Sequence, residues 1–426
     1  MTECSSADTR PDTSAFRRWL AVFSLACGTF VLVNTEFLPI GLLSPIAQSL
    51  GVTEGHAGLA VMLPGIIAAI SAPLIMLFAK KMDRRTLLLL LSATVILANG
   101  IAVMAESFNI LLIGRIILGV GVGGFWSFAI PSGRRLVAEE QGARAISLIT
   151  AGVAVGTVAG VPAGAFIGDL FGWRMAFTLN AVLALVFFIL QWLALPSLPA
   201  QQSIGLRAML GVTKVAGIRY ALIIGVFMAG GHFAAYTYLE PWLRFNLQLS
   251  ASNISLLLMG YGVAGLIGTL TTEITVREFG VKRAFMLNML LLSLSVLVLS
   301  LFNVPLPLAS ALVILWGLAF GALPVCLNIW TYQASPALFE TGSALLVCVF
   351  QTSLALGALF GGILADSAGV SSAFLLGGVL TLLAGITIFL SRPQPVTPPL
   401  SLKSLKPYLS CAASASCTTL SWLMAS

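Results

Sequence analysis

Twelve apolar stretches, each about 20 residues long, follow one another along this chain, and a helix of that length spans the hydrocarbon core of a bilayer. The 426 residues are 58% hydrophobic and 9% charged, whereas a soluble domain carries roughly 25% charged residues. This composition excludes a soluble fold, a disordered chain and a disulfide scaffold. A membrane barrel is excluded because its strands are roughly 10 residues long and alternate between apolar and polar residues. The sequence therefore predicts an all-α polytopic membrane protein with transmembrane helices at 19–42, 57–79, 86–104, 109–130, 145–168, 175–195, 220–240, 253–275, 284–302, 308–330, 342–365 and 372–390.

The longest internal polar interruption divides the predicted spans into six and six. We expect two six-helix bundles that are related by a pseudo-twofold axis. The predicted domains are a cytoplasmic N-terminal segment at 1–18, bundles at 19–195 and 219–391, a cytoplasmic linker at 196–218, and a disordered cytoplasmic tail at 392–426.

The positions of the positive charges predict the orientation. All but three of the 22 lysines and arginines fall in one alternate set of loops, which includes both termini and the linker; the exceptions are Arg115, Arg174 and Arg244. By the positive-inside rule, both termini are cytoplasmic, and the membrane is expected to be a bacterial inner membrane. Membrane topology accounts for the basic residues, because they cluster in alternate loops. The positive net charge therefore does not indicate nucleic-acid binding, and no nucleic-acid partner is expected. The two histidines and six cysteines show no metal-ligand spacing, and no metal or cofactor is expected.

An internal repeat supports the division into halves. The stretch Gly164–Phe177 aligns without gaps to Gly361–Phe374, and Asp169 matches Asp366 at an offset of 197 residues. Chance similarity between two Gly-rich turns is the alternative. A second correspondence, between the charged loops at 82–86 and 277–283, favours duplication. Two parallel six-helix repeats with a binding site between them are the architecture of many secondary transporters.

Glu36 is the acidic residue that most needs an explanation, because it lies deep in the first predicted span beside Asn34 and Pro39. A charged side chain at the centre of a span costs roughly 2.5–3.5 kcal/mol on insertion scales, so it faces the bundle interior or water. One interpretation is a proton-coupling or substrate-contacting acid. The other is a structural carboxyl group that is bonded to the backbone or wetted from the outer surface.

Five pieces of the sequence carry a resemblance to a known family: NTEFLPIGLLSPIAQSLGVTEGHAG at 34–58, the loop Asp83-Arg84-Arg85, LLIGRIILGVGVGGFW at 111–126, the Gly-rich fifth span, and GDLFGWRMAF at 168–177. In order and spacing they resemble the major facilitator superfamily, over about residues 16–391. Within it, the chain is similar to bacterial efflux permeases of the drug:proton antiporter-1 type, which export purine ribonucleosides or arabinose-type sugars. The resemblance implies the major facilitator fold and a role for Arg115 in proton coupling. Pairing of Arg115 with Glu36 or with a backbone carbonyl is the structural alternative.

Glycines spaced four residues apart form a stripe on the fifth span, which also contains Pro162. Such spacing allows two helix backbones to approach closely. Within the family it resembles the antiporter motif of exporters, although tight packing alone is an alternative explanation. The stripe consists of Gly152, Gly156, Gly160, Gly164 and Gly168.

Two short cytoplasmic charge clusters are candidates for a conformational latch, with topology determination as the simpler explanation. They are Asp83, Arg84 and Arg85, and Arg277, Glu278, Lys282 and Arg283.

A further set of polar and aromatic residues within the spans is able to line a substrate cavity. The alternative is that the aromatic residues are packing or interface anchors and that the lone histidine is a core residue. The cavity candidates are Asn34, Phe125, Trp126, His232, Tyr236, Tyr261, Asn328 and Gln351.

The absence of nucleophile, metal and phosphate-loop motifs excludes an enzyme on the sequence evidence. We expect a monomeric, proton-coupled antiporter that exports a small organic solute, with a purine ribonucleoside or sugar-like metabolite suggested by the resemblance. Two alternatives stay open: a multidrug proton antiporter, and an importer on the same fold. The expected partners are the solute, protons and the lipid bilayer.

Overall fold

The computed structural model describes residues 15–138, 141–200, 211–335 and 338–391. The first six membrane-spanning helices and two short helices make up what we call the N half. These helices are α1 (Ala15–Phe37), α2 (Leu43–Leu50), α3 (Glu54–Ala57), α4 (Leu59–Phe78), α5 (Arg84–Val103), α6 (Phe108–Arg135), α7 (Gly142–Phe171) and α8 (Trp173–Ala194).

The helices described from residue 216 onward make up the C half. They are α9 (Ala216–Tyr236), α10 (Leu239–Asn246), α11 (Ala251–Phe279), α12 (Val281–Leu301), α13 (Leu306–Ala334), α14 (Phe339–Ala368) and α15 (Val370–Leu390). Twelve helical segments in the described ranges are long and apolar enough to cross a membrane, which confirms the predicted fold class. Residues 1–14, 201–210 and 392–426 lie outside the described residues, so the boundaries predicted for the segments 1–18, 196–218 and 392–426 stay predictions.

Because consecutive helices alternate in direction, the connections collect at two faces. At one face, which we call the terminal face, the Ser197 hydroxyl donates to Asp83, and Lys282 donates to the Ser391 carbonyl. At the other, the opposite face, Arg174 donates to the carbonyl of Ala105. Within the described ranges, the chain thus crosses between the two faces twelve times.

The first helix of each half is broken, where the sequence predicted one continuous span. After α1 the chain forms a 3-10 turn at Leu38–Leu42 before α2 begins. The cause is Pro39, which has no N–H to donate to a preceding carbonyl. In the C half, α9 ends at Tyr236 and the eight-residue α10 follows, with Pro241 in its first turn. Each half therefore opens with a long helix and a short one.

Large apolar side chains cover the outside of the bundle. Leu193, Leu256 and Phe389 are 72%, 70% and 66% exposed. A soluble protein rarely presents so much apolar surface to water, whereas lipid tails solvate it without cost. The chain is therefore a multi-pass membrane protein, and its polar buried residues lie between the helices.

Candidate functional site

Glu36 lies at the contact between the two halves. Its side chain is 2% exposed, and the carboxylate Oε1 accepts a hydrogen bond of 2.9 Å from Nε2 of Gln351 on α14. Beside this pair, the Phe37 ring stacks on Phe233 of α9 with 5.6 Å between the ring centroids. The acid that the sequence singles out is thus in direct contact with a side chain of the C half.

Arg115 on α6 is also buried, and it donates to three backbone carbonyls. Its Nε donates to Ala60 at 2.5 Å, Nη1 to Thr35 at 2.7 Å, and Nη2 to Glu36 at 2.6 Å. The sequence left two structural partners of Arg115 open, Glu36 or a backbone carbonyl, and these three bonds go to backbone carbonyls.

Two prolines explain why these carbonyls need a donor. The carbonyl of Ala60 would normally accept from the N–H of residue 64, which is Pro64. Pro39 likewise has no N–H for Thr35, its partner in an α-helix, or for Glu36, its partner in a 3-10 turn. The guanidinium of Arg115 therefore supplies the hydrogen bonds that the prolines remove.

A cluster of amides surrounds the end of α1 inside the N half. Asn34 Nδ2 donates to Asn180 Oδ1 at 2.9 Å, and Asn99 Nδ2 donates to the hydroxyl of Thr35 at 3.1 Å. Asn180 also donates to Asn99 Oδ1 at 3.2 Å. Asn99 and Asn180 were missed by the sequence analysis, although a lone amide within an apolar span is itself a signal. Asn34 Oδ1 is buried and has no hydrogen-bond partner among the described residues, so one acceptor of the cluster is unused there.

An aromatic cluster in the C half contains three of the predicted cavity residues. His232 is 1% exposed, stacks on Phe320 with 3.4 Å between ring centroids, and accepts at Nδ1 from the Trp316 indole at 3.1 Å. Tyr236 stacks on Tyr261 with centroids 4.9 Å apart. The Trp316 bond leaves the imidazole proton on Nε2. In the part of the chain that the structure describes, this group and the Tyr261 hydroxyl are buried without a hydrogen-bond partner. The cluster has unused polar groups beside flat apolar rings.

The other cavity candidates lie away from this contact. Phe125 is buried in the core of the N half beside Gly28 and Gln191, where a small cavity lies, and Trp126 packs against the same core. Asn328 is exposed and donates to the carbonyl of Pro324 on its own helix. Of the predicted cavity residues, Gln351 bonds directly to Glu36. The rings of His232 and Tyr236 contact Phe233, which stacks on Phe37 beside Glu36, and Tyr261 stacks on Tyr236.

Both charged clusters lie at the terminal face and bond within their own halves. Asp83 caps α5 by accepting from the N–H groups of Arg85 and Thr86 and from Ser197. Partial burial raises the pKa of Asp83, but the Ser197 hydroxyl and the backbone donors outweigh it, so the pKa lies below its usual value.

Each arginine of the first cluster bonds to a carbonyl of the N half. Arg84 donates to Ala79 at 2.7 Å and lies over the Phe128 ring, and Arg85 donates to Trp192 at 2.8 Å. In the second cluster, Lys282 donates to the carbonyls of Phe389 and Ser391, whereas Arg277, Glu278 and Arg283 are exposed. Their role as a latch stays a prediction.

The glycine stripe of α7 packs on α1 and the turn that follows it. Its partners are also spaced four residues apart, so the two backbones lie in register. A Cβ at Gly156 would be 2.9 Å from the Phe30 carbonyl oxygen, and a Cβ at the other four would also collide. The five pairs are Gly152–Ala26, Gly156–Phe30, Gly160–Asn34, Gly164–Leu38 and Gly168–Leu42.

A separate contact between the halves lies one helical turn before Pro162. Because Pro162 has no N–H, the Val158 carbonyl loses its helical partner. Gly262 of α11 packs against this carbonyl, where a Cβ would be 2.9 Å from the oxygen.

We expect Gly156→Leu to abolish transport while the protein still inserts, because overpacking here forces α7 away from α1 and costs about 1–3 kcal/mol or more. The measurement is transport per inserted molecule in membrane vesicles. Gly100→Leu is the matched control, since Gly100 is also helical and a Cβ there would meet no described residue within 4 Å. Wild-type turnover in Gly156→Leu would show that the close packing has no role in transport.

These features define a membrane transporter with buried polar groups at the junction of two six-helix halves. The sequence model of the family described as Major Facilitator Superfamily matches residues 25–337 and 221–424, and the chain belongs to this family. The prediction of a transporter rather than an enzyme is thereby confirmed.

Curated relatives align over nearly the whole chain. The chain is 34% identical over 399 residues to a Pseudomonas aeruginosa protein named transcription regulatory protein OpdE, covering 91% of this chain and 97% of the relative. It is 33% identical over 387 residues to the purine ribonucleoside efflux pump NepI of Escherichia coli K12, covering 90% and 95%.

A solved structure shares the fold. It is a bacterial homologue of the human lysosomal transporter Spinster, in an inward-facing and unoccupied conformation. It superposes with a TM-score of 0.72 at 17% identity, covering 89% of this chain and 97% of the other.

Proposed function

We propose that this chain is a proton-coupled antiporter that exports a purine ribonucleoside or a sugar-like metabolite by alternating access. The observation that carries the proposal is the hydrogen bond from Gln351 to Glu36, because it joins an ionisable group of one half to the other half. The purine class is supported by the 33% identity to the relative named as a purine ribonucleoside efflux pump.

In this mechanism the solute and the proton favour opposite states of the same carrier. The deprotonated Glu36 favours bound solute, and its protonation from outside favours release. The aromatic cluster offers ring faces to a flat base, and the unpartnered Nε2–H of His232 and hydroxyl of Tyr261 offer hydrogen bonds. Arg115 holds the end of α1, and with it Glu36, in place. The antiporter acts as a monomer, with no nucleic-acid partner.

The test is uptake into everted vesicles with an acidic lumen. A purine ribonucleoside, a pentose and a cationic dye are compared, and a vesicle preparation that lacks the protein is the control. We expect the ribonucleoside to accumulate and the accumulation to vanish when the pH gradient is collapsed. Accumulation of the dye alone would assign a multidrug antiporter instead, and gradient-driven loss of ribonucleoside from the lumen would assign an importer.

The proposed location is a bacterial inner membrane with the terminal face in the cytoplasm. The support is the clustering of lysine and arginine near that face. A cysteine at exposed Gln48, on the opposite face, should react with an impermeant thiol reagent in intact cells, whereas one at exposed Arg283 should react only after lysis. The reverse pattern would invert the topology.

A further inference from the structure

At the opposite face, Asp366 of the C half is bonded to the N half at two points. Its Oδ2 accepts from the hydroxyl of Thr53 at 2.6 Å, and its Oδ1 accepts from the backbone N–H of Gly55 at 2.9 Å. Both donors lie in the connection between α2 and α4, whereas Asp366 is near the end of α14. One carboxylate thus joins the ends of two helices that belong to different halves.

A second carboxylate makes a similar contact. Glu240 of α10 is 1% exposed, and its Oε2 accepts from the backbone N–H of Ser44 at 3.0 Å. Ser44 is in the first turn of α2, where backbone N–H groups have no partner within the helix. The other oxygen of Glu240 accepts from Arg244 at 2.7 Å, which orients the carboxyl group.

The internal repeat provides a built-in comparison. Asp169 and Ser250 correspond to Asp366 and Thr53 at the same offset of 197 residues. All four residues are exposed, but between Asp169 and Ser250 the structure gives no hydrogen bond among the described residues; Ser250 instead accepts from the N–H of Asn253. A cavity of about 110 Å³, lined by Asp169, Glu240 and Arg244 among others, lies there.

We propose that Asp366 and Glu240 are the lock that holds the opposite face shut, and that this face opens when their bonds to Thr53, Gly55 and Ser44 break. The inference rests on the proposed alternating access, which requires the face to open. The acceptors are carboxylates of the C half and the donors belong to the N half, so separating the halves at this face breaks all three bonds. Asp169 does not take part.

The lock is tested by the distance between the halves in purified full-length protein, without solute or a pH gradient. Spin labels are placed at Gln48→Cys and Asn303→Cys, which are exposed positions of the two halves outside the lock, after the six native cysteines are replaced by alanine. We expect Glu240→Met, which removes one of the three bonds, to raise the long-distance population about tenfold, and Asp366→Ala, which removes two, to raise it by at least as much. Asp169→Ala is the matched control and should leave the distances as in the parent.

A second pair of variants covers the case in which Asp366→Ala fails to fold. Thr53→Val removes one donor and should also populate the longer distance, whereas Thr53→Ser keeps the hydroxyl and should not. Unchanged distances in Asp366→Ala, Glu240→Met and Thr53→Val, or an equal change in Asp169→Ala, would overturn the lock. Because the measurement uses no solute, a failed ribonucleoside assay would remove the proposed function and leave this result standing.

Discussion

Glu36→Gln is expected to abolish proton-driven accumulation in everted vesicles while the protein still inserts and binds solute. The amide oxygen of glutamine still accepts from Gln351, so the contact between the halves is kept, and only the ability to ionise is lost. The variant therefore mimics a permanently protonated acid.

The pH dependence of solute binding should distinguish Glu36→Gln from the wild type. Proton and solute must affect each other's affinity equally, because linkage is reciprocal. Wild-type affinity should rise with pH as Glu36 ionises, by about tenfold, which is within the usual range of coupling energies. The affinity of Glu36→Gln should stay at the low value throughout and equal that of the wild type only in acid.

Glu273→Gln is the matched control, because Glu273 is an exposed acid on α11. It should retain both accumulation and the pH dependence of binding. Normal proton-driven accumulation in Glu36→Gln would make Glu36 a structural residue, and Glu240 and His232 would be the next groups to test.

Arg115→Ala is expected to destabilise the protein by several kcal/mol, because it leaves three buried carbonyls without a donor at about 1–3 kcal/mol each. The measurement is the thermal unfolding temperature in detergent together with the inserted amount. Arg174→Ala is the control: that arginine is partly exposed and also donates to a carbonyl, that of Ala105, so its loss should cost less.

The proline explanation is tested by a double variant. Pro64→Ala restores an N–H that the carbonyl of Ala60 can accept, so Arg115→Ala should cost less in that background than alone. Strict additivity would contradict the explanation. If the double variant folds, its binding should also show whether Arg115 affects the pH dependence that Glu36 provides.

Hydropathy predicts the helices because each must be apolar over the width of a bilayer, whatever its neighbours are. The breaks after α1 and α9 could have been predicted from the sequence, because Pro39 and Pro241 mark them. The length of the turn at each break depends on packing and could not. The burial of Glu36 was also predictable from its position.

Pairings across the bundle were not predictable in the same way. Gln351 lies 315 residues from Glu36, and nothing local to either residue indicates the other. Phe125 and Trp126 show the same limit: an aromatic residue in a span is equally compatible with a cavity and with a core, and only the neighbouring helices decide. The partners of Arg115 depend on where two prolines of different helices come together.

The three bonds of Arg115 also bear on how such a chain diverges. Pro39, Pro64 and Arg115 belong to a turn and two different helices, yet the arginine is what makes both prolines tolerable. Losing the arginine first is costly, whereas losing a proline first leaves a donor to spare. Substitutions at these sites should therefore accumulate in a preferred order during evolution, with the prolines replaced before the arginine.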